Sequence, residues 1–563
     1  MNYDHDWIIV GSGFGGSVSA LRLAEKGYDV KMLECGRRFS DEDFAETILK
    51  APQRYYWFPY AKLRGILRMT FFKDVTVLSG NGVGGGSLGY ANTLYRARPK
   101  FFADKQWAGI EDWENVLQPH YDTAEYMLGV TEVPLHQPSD DVIKKLSEDF
   151  GVPETYKKTR VGVYFGDRDK AGDTVPDPYF DGEGPDRAAC VACGACMMGC
   201  RHNAKNTLVK NYLWFAEKLG VKIEPLRTVT DVKPLRGANG RRDGSAGYEV
   251  TSVRSGAWFF KGRKKVRARG VVVSSGTYGT NKLLANCKIN GSLPRLSHRL
   301  GSLVRTNSEA ILAVTAKNDD VDYSTSVAIS SSFFPDENTH IENVTYGHGG
   351  DAMGRVFTLL TGEGTRTTRP VKFFGMAIRH PLSALRMFAA YHWSRRTVIL
   401  LVMQTLDNSL KLVPKKTAWG SYRLTTEEDA ANPNPRFIPA ANRAAELAAA
   451  QMGGVPQSSV MEVMANIPST AHFLGGAVIG RDANTGVIDH FNRAFGYDNL
   501  LICDGSAMPA NPGVNPSLTI TAISEHAMTA VPPKVEATTA SGGFAIRAES
   551  AEAAAAAATV SKS

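Results

Sequence analysis

Two clusters of residues in this sequence have types and spacing that could do chemistry. The first is Gly11-Ser12-Gly13-Phe14-Gly15-Gly16. In such a run the first glycine allows a tight turn, the second lets backbone approach a pyrophosphate, and the third lets a helix pack closely on a strand. Amides from Phe14 to Ser17 would then face the phosphates at a helix N-terminus. Glu34 ends the next apolar run, where a carboxylate can accept hydrogen bonds from both ribose hydroxyls and disfavours a 2′-phosphate. The turn alone leaves FAD and NAD open. A further glycine run, Gly80-Asn81-Gly82-Val83-Gly84-Gly85-Gly86-Ser87, predicts backbone laid against something flat or anionic.

The second cluster is Cys190-x2-Cys193-x2-Cys196-x3-Cys200, a ferredoxin-like ligand spacing. Arg201 stands where a proline is usual, and Cys200 or a distant thiol such as Cys35 would complete a single-cluster set. An iron-sulfur cluster, a structural zinc and unmetallated thiols are the three readings. The remaining cysteines of the seven, Cys35, Cys287 and Cys503, are scattered, and the odd total argues against a secreted disulfide framework.

The elements that must position these residues follow from patterning. Residues 7–10 read as a strand, 17–26 as a helix and 28–33 as a second strand, together a βαβ unit. Two later apolar runs with small-residue ends, at 270–276 and 499–505, predict more strands of the same sheet, so the nucleotide-binding domain is discontinuous. The run 398–403 predicts a buried strand. Length allows this: 563 residues correspond to at most about four domain-sized units, and 54 glycines exceed the usual share of about 7%. With 43% hydrophobic and 22% charged residues the body is an ordinary globular chain.

A net charge of +8 over this length does not indicate nucleic-acid binding, and no apolar run is long enough for a membrane span. The N-terminus lacks the pattern of a secretory signal, which predicts a cytoplasmic protein. Aromatics interleaved with basic residues at 55–72 fit a substrate entrance, a peripheral membrane-surface contact or a cap on the core. The stretch 373–396 reads as an amphipathic helical insertion with the same alternatives.

Four motifs in order, the two glycine runs and the blocks Thr470-Ala471-His472-Phe473-Leu474-Gly475-Gly476 and Gly513-Val514-Asn515-Pro516-Ser517-Leu518-Thr519-Ile520, resemble the glucose-methanol-choline (GMC) oxidoreductases. Within that family the chain is similar to the cholesterol oxidases, above all the actinobacterial branch with a four-cysteine insertion, and the likeness runs from about residue 4 to about 530. The fold this implies is α/β: a discontinuous, Rossmann-like FAD-binding domain with an inserted α+β substrate domain. Residues 1–100, 216–300 and 466–532 would be its FAD-binding pieces, 101–215 the cysteine-bearing insertion, 301–465 the substrate-binding domain and 533–563 a disordered tail.

The resemblance also implies roles. Gly11, Gly13, Phe14, Gly15 and Gly16 would lie at the FAD pyrophosphate, Glu34 on the adenosine ribose, and Gly84, Gly85, Gly86 and Ser87 near the flavin. Val229 would meet adenine through its backbone, and Asp504, Gly505, Asn515 and Pro516 would flank the ribityl chain and pyrimidine. Tyr90-Ala91 replaces the asparagine-glycine pair of the sterol oxidases. His472 and Asn515 would be catalytic, handling the substrate hydroxyl and its proton. Glu342 is the match to the glutamate that shifts the steroid double bond. The expected reaction is oxidation of a 3β-hydroxysterol to the 3-ketosteroid, with double-bond isomerisation, using O2 or a protein or quinone acceptor. The alternative is a GMC dehydrogenase of another bulky apolar alcohol with a non-oxygen acceptor.

Overall fold

The computed structural model describes residues 2–534 apart from 239, 380, 383–389, 418, 419 and 421. The expected tail at 533–563 therefore lies, from 535 on, outside the described residues, as does part of the 373–396 stretch.

The chain opens on the strand His5–Val10, whose Trp7, Ile8, Ile9 and Val10 are all buried. A run that is apolar on both faces suits a strand covered on both sides in a parallel sheet. Val30–Leu33 pairs with it in parallel on one side and Lys264–Val273 on the other. Lys222–Glu224 extends the sheet beyond Val30–Leu33, and Leu500–Ile502 pairs in parallel with the end of Lys264–Val273. Tyr248–Arg254 and Arg227–Pro234 complete it as antiparallel strands. Strands far apart in sequence are thereby brought side by side.

The first helix is Phe14–Glu25, with Gly13 at its N-cap, so it begins and ends slightly before the predicted 17–26. Its Ser17 and Ser19 hydroxyls donate to the carbonyls of Phe14 and Gly15, so these polar residues are buried without loss. Helix Ser517–Thr529 packs against it, tied by Arg22, whose Nε and Nη2 reach the Glu525 carboxylate at 2.6 and 2.9 Å.

A second sheet of seven strands runs in the order Phe357–Leu359, Gly454–Ser459, Ala310–Ala316, Thr397–Gln404, Thr339–Val344, Ser331–Phe333 and Lys157–Lys158, with antiparallel pairing throughout. The predicted run 398–403 is its strand Thr397–Gln404. Side chains of a strand alternate between faces. Val398, Leu400 and Val402 pack with helices Pro138–Asp149 and Pro439–Gln451, while Ile399, Leu401 and Met403 face the cluster holding Ile66, Leu88 and Met198. The same alternation on Thr339–Val344 sends Ile341 to the helices and puts Glu342 on the opposite face with Val344, which packs in the cluster holding Ile66, Leu88 and Met198. This mixed architecture of a nucleotide-binding sheet plus a separate antiparallel sheet is the fold class expected from sequence.

Candidate active site

The glycine cradle has two kinds of glycine. A Cβ at Gly11 would lie 2.1 Å from the Ser274 carbonyl oxygen, at Gly15 1.8 Å from that of Cys503, and at Gly16 2.2 Å from that of Gly11. These three permit close packing of backbone. Gly13 differs: a Cβ there would meet nothing within 4 Å, and the helix it caps has neither a side-chain cap nor an acidic residue in its first turn. An uncapped N-terminus opening on free space fits the FAD pyrophosphate. The two glycine runs touch, since a Cβ on Gly85 would be 2.5 Å from the Gly13 Cα. Gly84 N donates to the Ser12 hydroxyl at 3.1 Å, the Ser87 hydroxyl donates to Gly84 O, and Leu208 N donates to the Ser87 hydroxyl. Gly86 faces the Phe14 ring.

Glu34 is buried and already engaged: Oε2 accepts from Ser12 N and Ser12 Oγ, and Oε1 from Gly36 N at 2.7 Å. It therefore braces the glycine turn, and its spare lone pairs remain for a ribose. Arg227 N donates to Glu34 O and Leu226 N to Gly36 O, which brings Val229 beside the same turn, on the edge strand and at a β-bulge. Asp504 is buried, accepting from Thr280 Oγ1 and from Ser506 N and Oγ, and burial raises its pKa. Gly505 opens the short helix that Asp504 caps, and Pro516 caps Ser517–Thr529. Tyr90, the departure from the sterol-oxidase pattern, is scaffold: it meets Phe14 edge-on at 5.6 Å and donates to Asn206 O at 3.3 Å.

The catalytic candidates converge from three elements. His472 lies between the short strands Ser469–Thr470 and Leu474–Gly475, with its N–H held by the Thr470 hydroxyl at 2.9 Å. Its Nδ1 is in close contact with the carboxylate of Glu309, whose other oxygen accepts from Ala471 N at 2.7 Å. Glu309 is buried and leads into Ala310–Ala316. A carboxylate at Nδ1 requires the proton there, leaving Nε2 as an acceptor. Asn307 stands behind the ring, 3.5 Å from Nδ1, donating to Val514 O at 3.0 Å and accepting from Gly513 N at 2.8 Å. The loop that carries Asn515 is thereby fixed to the loop before Glu309.

Asn515 Nδ2 donates to Glu342 Oε2 at 3.2 Å. Glu342 is fully buried, its Oε1 has no hydrogen-bond partner among the described residues, and the His340 Nδ1 is 3.9 Å away. Burial is the main cause that pushes the Glu342 carboxyl up to about 8, with Glu309 adding repulsion and Asn515 opposing it. The Asn515 carbonyl oxygen likewise has no partner among the described residues. The structure thus brings His472, Asn515 and Glu342 together beside the glycine loops, and adds Glu309 and Asn307. Sequence reasoning missed those two: Thr306-Asn307-Ser308-Glu309 is a polar run entering an apolar strand, which was the only local signal.

Among the described residues no group of three or more His, Cys, Asp or Glu is arranged to hold a single metal ion. Cys190, Cys193, Cys196 and Cys200 do line one cavity, whereas Cys35 lies elsewhere, beside Asn81 and Arg68. Along 55–72 the alternative readings divide residue by residue: Tyr55 and Trp57 are core, Phe58, Tyr60 and Phe71 are exposed. Trp258, Phe259 and Phe260, not singled out from sequence, are exposed next to them, and Trp258 Nε1 donates to Tyr60 O at 3.0 Å. On helix Thr368–Arg379, Phe373 is buried while Phe374 and Ile378 are exposed. Among the described residues no helix is long and apolar enough to cross a membrane.

Residues 404–524 match the model of the GMC oxidoreductase family. The chain is 47% identical to a cholesterol oxidase of Acinetobacter baumannii, covering 95% of each chain, and 47% identical to one of Mycobacterium tuberculosis, covering 95% of this chain and 92% of that one. It is 24% identical to 2-methyl-1,2-propanediol dehydrogenase of Mycolicibacterium austroafricanum, over 93% and 94% of the two chains. Pyridoxine 4-oxidase from Mesorbium loti shares the fold, with a TM-score of 0.59 at 15% identity over 93% of this chain and 98% of that one. The chain belongs to the GMC oxidoreductases, as a cholesterol oxidase-like member. The family implies FAD as its cofactor and alcohol oxidation as its chemistry.

Proposed function

We propose that the protein oxidises the 3β-hydroxyl of a sterol to the ketone, with dioxygen as acceptor, and then moves the steroid double bond into conjugation. The observation that carries this reading is the pairing of His472 with Glu309 and of Asn515 with Glu342, joined through Asn307 and the backbone of Gly513 and Val514. Bound FAD supplies the hydride acceptor. Gly13 and the helix N-terminus, the Gly84 to Ser87 loop, Glu34, Val229, Asp504 and the Asn515-Pro516 turn would hold it.

The chain's own residues divide the remaining work. Glu309 fixes the His472 tautomer, so Nε2 accepts the hydroxyl proton as the carbinol carbon gives up hydride. The Asn515 amide donates toward charge developing at the reacting oxygen. Glu342, poised near neutrality by burial, takes a proton from the carbon next to the new carbonyl and returns it two carbons further along the same face. A carboxyl this fully buried suits proton transfer on a hydrocarbon skeleton whose only polar atom is the reacting oxygen. The exposed Phe58, Tyr60, Phe259 and Phe260, with Lys62 and Arg263 nearby in sequence, support contact with a membrane surface from which such a substrate is drawn.

Steady-state turnover of cholest-5-en-3β-ol tests the reading. The expected result is oxygen uptake matched by a 3-ketosteroid carrying the conjugated double bond. Turnover confined to non-steroidal alcohols, or only with an artificial acceptor, would favour a dehydrogenase of another bulky alcohol.

A further inference from the structure

The motif that the alcohol chemistry leaves unused is the four-cysteine segment. Its chain makes several tight turns: Ala192, Gly194 and Gly199 all have positive φ, and Gly194 N donates to Ser326 O at 2.7 Å while Ser326 N donates to Ala192 O at 2.8 Å. The result is a small cavity whose lining includes Cys190, Cys193, Cys196, Cys200, Lys205 and Ser326.

Three observations around this cavity are independent of the cysteine spacing. First, two cations are buried here, Lys205 in the cavity lining and Arg187 three residues before Cys190, and among the described residues no carboxylate is bonded to either. The Lys205 ammonium, 1% exposed, donates only to the carbonyls of Leu88, Tyr90 and Cys196, and the Arg187 guanidinium, 1% exposed, only to those of Asn203 and Ala204. Buried charges without a counter-charge are costly, so an anion is expected nearby. Second, among the described residues the Ser326 hydroxyl on the cavity lining has no hydrogen-bond partner, and the buried Asn92 side chain lies against Cys196 with its carbonyl oxygen unpartnered. Third, Ala192 N donates to the Cys190 sulfur at 3.4 Å, the kind of backbone bond that stabilises a ligating thiolate.

A single ion and a multinuclear core make different demands on the spacing of the thiolates. Tetrahedral zinc at about 2.3 Å from each sulfur needs the sulfurs about 3.8 Å apart, and among the described residues no group of three donors is drawn together for one ion. A multinuclear core holds its four thiolates farther apart and carries net negative charge with them, which the two buried cations would balance. We infer that Cys190, Cys193, Cys196 and Cys200 are the ligands of a resident iron-sulfur cluster, with Lys205 and Arg187 as its counter-charges and the Asn92 amide and Ser326 hydroxyl as donors to its sulfurs. The Lys205 bonds to Leu88 O and Tyr90 O place this site directly behind the loop that follows Gly84 to Ser87. The inference does not depend on the substrate.

The test uses the full-length flavoprotein, purified without oxygen, incubated with ferrous iron and sulfide and then desalted. About four irons and four acid-labile sulfides per chain are expected, with an EPR signal on reduction. Cys193→Ser, at a half-buried position, and Cys196→Ser should each lose the iron and sulfide while keeping the wild-type FAD content. Protein that retains FAD but no iron or sulfide, one zinc per chain without sulfide, or iron that survives both substitutions would each overturn the assignment. The wild-type and Cys193→Ser results decide the matter even if Cys196→Ser fails to fold.

Discussion

Around His472 two carboxylates are buried, Glu309 and Glu342, and they are met by an imidazole and by neutral amides. Around Cys196 two cations are buried, Lys205 and Arg187, and they are met by backbone carbonyls. One site buries acidic groups and the other basic groups. Buried charge is tolerated where something else completes it. In the first pocket the missing partner is a proton that comes and goes with a substrate hydroxyl. In the second, under the cluster assignment proposed above, it is a permanent anion. The difference separates a site built to move protons from one built to hold a charged group in place.

Several substitutions would break or sharpen that contrast. The largest effect is expected for His472→Ala, which removes the proton acceptor: kcat should fall by about 10²–10⁴-fold with FAD still bound, measured by turnover and flavin absorbance. Glu309→Gln keeps the shape but no longer fixes the tautomer, so a loss of about 10²-fold is expected, together with a changed pH profile that a purely structural residue would not produce.

Glu342→Gln should change oxidation by less than about tenfold while the product becomes the unconjugated ketone, because the amide cannot carry the proton. In the wild type the conjugated fraction should grow as pH rises through about 8, since the carboxylate is the active form and burial holds the carboxyl up to about 8. The stability sign is the reverse. A carboxyl raised in the folded state favours folding below its unfolded pKa of about 4.3, and that contribution is lost as pH rises to about 8. Melting temperatures of wild type and Glu342→Gln should therefore diverge over that range, with the variant gaining at the alkaline end.

The smallest effect on alcohol oxidation is expected at the other pocket. Lys205→Met leaves carbonyls of Leu88, Tyr90 and Cys196 unpaired and should cost on the order of 2–3 kcal/mol of stability in denaturant titrations. It should also weaken retention of iron although all four cysteines remain.

The nucleotide-binding half was legible because its signals are local. A strand, a glycine turn and a helix within one short stretch state their own geometry, and the run 398–403 is apolar on both faces because helices cover one side and the cluster of Ile66, Leu88 and Met198 the other. The helix start shifted by three residues because Gly13 serves as cap, and sequence alone does not reveal which glycine does so. Gly15 and Gly16 look like cofactor contacts in sequence, but their Cβ positions are closed by Cys503 and Gly11 backbone. The Glu309 and Asn307 contacts to His472 join residues more than 160 positions apart, and no spacing rule reaches across two sheets. Lys205 likewise reads in sequence as one more surface lysine, and only its burial against three carbonyls shows otherwise.

The most direct measurement is anaerobic rapid mixing of the FAD-loaded protein with a 3β-hydroxysterol, following flavin absorbance in a single turnover. Wild type should bleach completely with one equivalent of 3-ketosteroid formed per flavin, Glu342→Gln should bleach at a comparable rate, and His472→Ala should bleach orders of magnitude more slowly. Flavin that stays oxidised with sterol, or that bleaches equally fast in His472→Ala, would contradict the account.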